Sequence, residues 1–131
     1  MPYLLDTNTV SDLVRNPQGA VAERVKSVGE ADVATSIIVA AELRFGAAKR
    51  GSERLTSQLE AVLGALAVLP LECPADAVYG GVRARIERLG RPMGANDLLI
   101  AAHAIAVGYT LVTDDRAFDR IPDLSLENWL G

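Results

Sequence analysis

The sequence predicts an α/β fold, a parallel sheet covered by helices on both faces. Three observations carry this. Short apolar runs such as Tyr3-Leu4-Leu5, Ala67-Val68-Leu69 and Thr110-Leu111-Val112 have strand rather than helix length. Longer stretches between them repeat apolar residues at helical spacing. The two kinds alternate along the chain, which is the pattern of right-handed strand–helix–strand crossovers. At 131 residues the chain is expected to form one domain, residues 1–131, around one core.

Each element follows from local chemistry. Tyr3 to Leu5 is the first strand. A helix follows with Thr7 or Asn8 as its N-cap, and it ends before Pro17. Ala20 to Val28 is a second helix closed by Gly29, and Asp32 to Thr35 is a strand. Ser36 caps a helix carrying Val39, Ala40, Leu43, Phe45 and Ala47; Lys49 and Arg50 suit its C-terminal dipole and Gly51 ends it. Glu53 to Leu66 is amphipathic, with Leu55, Leu59, Val62, Leu63 and Leu66 near helical spacing. Ala67 to Leu69 is a strand cut off at Pro70, and Pro74 opens a helix to about Leu89. Asn96 to Val107 is apolar nearly all round, so it is a buried helix stopped by Gly108. Thr110 to Val112 is the fourth strand, Asp114 to Arg120 a loop with a helical turn, and Leu124 to Glu127 a short fifth strand.

Composition narrows the function classes. Half the residues are apolar and 23% are charged, far from disorder. No apolar run approaches the roughly 18 residues of a membrane span, and no secretion signal is evident at the N-terminus. Cys73 is the only cysteine, so no intrachain disulfide forms; with the missing signal, this suits the cytoplasm. The net charge of −4 and pI near 4.9 do not mark a general nucleic-acid binder. Acids converging on a cation would leave the remaining surface less acidic than that total.

Topology directs such a convergence. Asp6 follows the first strand, and Asp114 and Asp115 follow the fourth, at the same edge of the sheet. Glu42 lies in the second turn of a helix that starts at this edge, and Asp97 in the first turn of the helix returning to the fourth strand. The functional crevice of such sheets lies beyond the carboxyl ends of the strands, where strand order reverses. Glu42 and Asp97 also interrupt strongly apolar runs, where a carboxylate needs a partner or a cation. Two carboxylates about 4 Å apart repel by roughly 4 kcal/mol at an effective dielectric of 20. Oxygen-only ligands without histidine or thiolate suit Mg²⁺, or Mn²⁺, rather than Zn²⁺. The chemistry of such a site is hydrolysis of a phosphodiester by metal-activated water.

The residues resemble a known family, the PIN-domain ribonucleases, in particular the VapC-type toxins of toxin–antitoxin pairs. The resemblance rests on Leu5-Asp6-Thr7-Asn8, Ala41-Glu42-Leu43-Arg44-Phe45-Gly46, the run from Gly94 to Ala104, Leu111-Val112-Thr113-Asp114-Asp115, and the tail from Phe118 to Trp129. It implies a PIN-like three-layer sandwich whose sheet has the order third, second, first, fourth, fifth. It also implies a Mg²⁺-dependent endoribonuclease that forms a homodimer and is inhibited by a cognate VapB-like antitoxin lying across the active-site groove. By motif position, Asp6, Glu42 and Asp97 are the acidic core and Asp115 the fourth acid, with Asp114 its neighbour. Thr7 and Thr113 match hydroxyls that support the carboxylates, and Asn8 completes the first motif. Val39 departs from the family, which often has Thr there; no metal ligand is lost.

Other residues have lesser roles. Arg83, Arg85 and Arg88, with Arg91, form a basic run that would touch RNA phosphates or merely line a solvated face. Arg44 is a better candidate for substrate or antitoxin contact. His103 is expected to be a packing residue and Trp129 an anchor. Two rival functions are weighed. An aspartyl-phosphate phosphatase would use Asp6 as nucleophile, but such enzymes carry a second acid two residues on, where this chain has Asn8, and no lysine follows Lys49. A non-catalytic PIN module that only binds RNA or a partner has no evident reason to keep the mutual repulsion of four acids.

Overall fold

The computed structural model describes residues 2–130. Its elements alternate as expected: β1 (Tyr3–Leu5), α1 (Thr7–Arg15), α2 (Ala20–Val28), β2 (Val33–Ser36), α3 (Ile37–Arg50), α4 (Glu53–Ala65), β3 (Ala67–Leu69), α5 (Ala75–Arg88), α6 (Ala95–Val107), β4 (Thr110–Val112) and β5 (Leu126–Glu127). Short 3-10 turns occupy Glu30–Asp32 and Arg116–Arg120. All strand pairs are parallel and the order is β3-β2-β1-β4-β5, the expected one. The order reverses beside β1, so the crevice opens where β1 and β4 end.

The three central strands, β2, β1 and β4, are the buried ones, whereas the edge strands β3 and β5 are partly exposed. Leu4, Leu5, Leu111 and Val112 are all fully buried. Gly51 and Gly108 end α3 and α6 in the left-handed conformation, with φ of 65° and 75°, which a side chain would strain. α6 is buried nearly all round, through Leu98, Ile100, Ala101, Ala102, His103 and Ala104. α5 lies along α6; α1, α3 and α4 pack on one another, and α3 also touches α6. Among the described residues no helix is long and apolar enough to cross a membrane.

Boundaries differ from the sequence reading in small ways. β2 runs one residue further, through Ser36, because that residue pairs with Leu69 before capping α3. β5 is reduced to Leu126–Glu127, since Leu124 is drawn into the core ahead of the ladder. Helices α5 and α6 start within a residue of the expected positions.

Candidate active site

Asp6 stands where β1 runs out. Its amide donates to the Val112 carbonyl at 3.0 Å, extending the β1–β4 ladder one residue past the strand. Its backbone is still extended, and its carboxylate turns over the start of α1 to accept from the Thr9 amide at 2.9 Å. Asp6 therefore caps α1, not Thr7 or Asn8. A cap needs non-helical backbone with a side-chain oxygen within reach of the third helical amide, and Thr7 is already helical. Thr9 is fully buried and its hydroxyl donates to the Val112 carbonyl at 3.0 Å, so the first turn of α1 is bolted to β4. The sequence reading missed Thr9; its place three residues after a strand-end Asp was the available signal.

Asp6 as a residue is only 4% exposed. Burial holds its pKa above the ordinary value; hydrogen bonds from Thr113 and Thr9 oppose this, and the charge of Asp114 adds to it. Glu42 projects half-buried from the second turn of α3, and the Thr7 hydroxyl donates to its Oε1 at 2.8 Å. That bond joins α1 to α3 across the rim.

Asp97, half-buried in the first turn of α6, reports on the others. Its pKa is raised first by burial, then by the charges of Asp115, Glu42 and Asp6. Carboxylates from four separate segments thus act on one another at one edge of the sheet. Asp115 is exposed and its Oδ1 caps the following 3-10 turn, accepting from the Ala117 amide at 2.9 Å. Its own amide donates to the Thr113 hydroxyl oxygen at 3.0 Å. Asp114 is exposed and accepts a long 3.5 Å bond from Asn8. The two neighbours divide their influence, Asp115 raising Asp97 and Asp114 raising Asp6.

The donor set is oxygen only. Among the described residues no three acid, imidazole or thiol side chains close into a ready-made metal cage. An open rim of this kind fits a hard divalent cation that keeps several waters and takes only one or two direct carboxylates. It does not fit a cation needing a closed cage of nitrogen or sulfur ligands. Two open grooves reach the rim. One, of about 380 Å³, is lined by Asp114, Asp115, Arg116 and Asn128 among others. Another, of about 270 Å³, runs between α1, α3 and α4 and includes Glu42, Arg15 and Arg50.

The basic candidates are less closely associated. Arg44 makes a bidentate pair with Glu60 of α4 at 2.9 and 2.8 Å. Arg83 is tied to Glu87 at 2.8 Å and to the Tyr79 hydroxyl at 2.7 Å along its own helix. Arg85 and Arg88 line an open groove of about 440 Å³ with Ile105, Ile121 and Pro122, and none of the four acids lines it. Trp129 is buried, with its ring 5.1 Å from Tyr3 and its indole donating to Glu127 at 2.9 Å, so it anchors the tail.

Comparison with known proteins adds to this geometry. Residues 3–124 match the model of the PIN domain family. The chain is similar to Ribonuclease VapC2 of Rickettsia felis, 37% identical with 98% of each chain covered. It is also similar to the tRNA(fMet)-specific endonuclease VapC of Salmonella typhimurium, 34% identical with 98% of each covered. Among solved structures, VapBC2 from Rickettsia felis bound to a DNA fragment from its promoter superposes with a TM-score of 0.89. That pair is 36% identical, covering 98% of this chain and 99% of the other.

Proposed function

The chain belongs to the PIN-domain family, and from that premise we propose that it is a VapC-type endoribonuclease, the toxin of a toxin–antitoxin pair. One observation carries the reading: Asp6 at the end of β1, Glu42 on α3, Asp97 in the first turn of α6 and Asp115 after β4 come from four segments to one edge of the sheet, near enough for the other three to raise the Asp97 pKa. A chain that gathers like charges gains something from them, and a divalent cation is what they gain. Residues 1–131 act as one PIN domain.

In this reading Asp6, Glu42, Asp97 and Asp115 hold the ion, Mg²⁺ by preference and Mn²⁺ as its substitute. When bound, such an ion offsets charge on the phosphodiester oxygens and lowers the pKa of water. The chain's own groups set the geometry. The Thr9 amide and Thr113 hydroxyl orient Asp6 and oppose the rise in its pKa that burial causes. Thr7 holds Oε1 of Glu42. Asp115 is fixed by the turn it caps, and Asn8 restrains Asp114. The RNA approaches along the open grooves that end at Glu42 and at Asp114–Asp115. Arg44, Arg83, Arg85 and Arg88 serve as outlying contacts for RNA or antitoxin, Arg44 only after leaving Glu60. Ile37 and Phe45, 46% and 68% exposed on α3, are apolar surface for a homodimer or a VapB-like antitoxin to cover. A toxin that cuts cellular RNA works in the cytoplasm.

The test is end-group analysis of RNA treated with the purified protein. Attack by water leaves no 2′,3′-cyclic phosphate, and chelator stops the reaction. Cyclic phosphate ends, or cleavage undiminished in EDTA, would mean that the 2′-hydroxyl is the nucleophile and that the acids do not bind a required cation.

A further inference from the structure

Beneath the rim, two buried polar side chains meet that the proposed reaction does not use. His103 lies on α6, on the helix that carries Asp97, and is 1% exposed. Ser36 ends β2, caps α3, and is fully buried. His103 Nδ1 and Ser36 Oγ are 2.7 Å apart. Ser36 Oγ also accepts from the Ile38 amide at 3.1 Å.

The proton positions follow. Nε2 of His103 is buried with no hydrogen-bond partner among the described residues. Burial lowers the ring's pKa, opposed by the Pro70 carbonyl one residue past the Leu69 that pairs with Ser36, so the ring is neutral and carries a single proton. With Nε2 protonated, Nδ1 is an acceptor and the single Ser36 proton goes to it. The opposite tautomer leaves the Ser36 hydroxyl proton and a bare Nε2 both buried without partners, which is the costlier state.

Among the described residues no other side-chain hydrogen bond joins α6 to another element. The rest of its surface is held by apolar contact, which is strong but not directional. A buried polar pair adds little net stability over well-packed apolar side chains of the same volume, but it fixes one arrangement over its neighbours.

We propose that His103 and Ser36 form a positioning strut that sets the start of α3 against α6 and so fixes Glu42 relative to Asp97. The inference rests on the reading of those two acids as parts of the cleaving site. His103 is then a positioning residue, without contact to RNA.

The test compares His103→Leu, His103→Asn, Ser36→Ala and the Ser36→Ala/His103→Leu double variant, with Asp97→Asn alongside. Folded fraction is measured for each, and kcat, KM for RNA and the half-saturating Mg²⁺ concentration are read per folded molecule. A misplacement of the order of 1 Å lowers kcat by about ten- to a hundredfold. His103→Leu and Ser36→Ala are each expected to lose kcat in that range and to need several-fold more Mg²⁺, with KM within about twofold. The double variant is expected to be no worse than the worse single, because both remove one bond. His103→Asn, whose amide oxygen stands near the place of Nδ1, is expected to recover most of the loss. If His103→Leu does not fold, Ser36→Ala and His103→Asn make the same comparison. Folded variants with wild-type kcat and Mg²⁺ requirement would overturn the strut, as would additive losses that His103→Asn fails to rescue. Undiminished cleavage by Asp97→Asn would instead overturn the acid-site reading, and the strut with it.

Discussion

Replacing Asp6 by Asn should make the metal-free protein more stable while ending its response to metal. Asp6 does two things at once. It caps α1 through the 2.9 Å bond to the Thr9 amide, and it places a carboxylate in a site with 4% exposure. Asn caps a helix about as well as Asp, whereas Ala loses roughly 1 kcal/mol at such a position. Burial raises the Asp6 pKa, so the ionised form costs folding free energy at neutral pH. Asp6→Asn is therefore expected to melt above the wild type in chelator, and above Asp6→Ala by roughly the 1 kcal/mol of the cap, on the order of 4 °C in Tm for a domain of this size. Asp6→Ala, which loses the cap and strands the buried Thr9 amide, should fall near the wild type or below it.

The signs can be checked by pH. A carboxylate whose folded pKa is raised binds its proton more tightly in the native state, so stability rises as pH falls toward the carboxylate range. That component should be present in wild type and missing in Asp6→Asn. Metal acts the other way: at ten times its Kd it stabilises the wild type by about 1.4 kcal/mol, and Asp6→Asn should show little of this. Thermal melts in EDTA and in excess Mg²⁺, at several pH values, give all of these quantities. An Asp6→Asn protein that melts below the wild type in EDTA would refute the reasoning, because the carboxylate would then be stabilising without a cation.

Further predictions follow from single contacts. Thr7→Val removes the hydroxyl that holds Glu42 Oε1 at 2.8 Å; kcat should fall about tenfold or more with the fold intact, measured by RNA cleavage beside a circular dichroism melt. Asp97 holds its proton above the ordinary carboxylate range, through burial and then the charges of Asp115, Glu42 and Asp6. Protons therefore compete with metal there, and Mn²⁺ affinity by calorimetry should start to weaken at a higher pH than an isolated Asp would give; the loss should be smaller in Asp97→Asn. Trp129→Ala removes a buried ring packed at a tilt against Tyr3; a cost of about 3–5 kcal/mol is expected, read from urea denaturation.

Much of the fold was legible because its signals are local. Apolar runs of strand length, helical spacing between them, and Gly51 and Gly108 as stops all act within a few residues of where they stand. The convergence of acids was legible for a different reason. Parallel crossovers return every strand end and helix start to one edge, so sequence position alone aims Asp6, Glu42, Asp97 and Asp115 there. What escaped depends on pairings distant in sequence or on the last residue of a strand. Asp6 was read as a site residue and not also as a cap, because whether its backbone stays extended is decided by the bond to Val112. In sequence Arg44 is a candidate for substrate or antitoxin contact, and only the fold brings Glu60 against it. His103 was expected to be a packing residue, and its bond to Ser36, 67 positions away, has no signature in either local sequence.

The central claim is that acids gathered from four chain segments form a metal-dependent RNA-cleaving site. Its most direct test is cleavage of total cellular RNA by the wild type and by Asp97→Asn, each in Mg²⁺ and in EDTA, with both proteins shown to be folded. Discrete cuts by the wild type in Mg²⁺ alone, with none from Asp97→Asn, are the expected result. Equal cleavage by the two proteins, or cleavage that persists in EDTA, would contradict the claim.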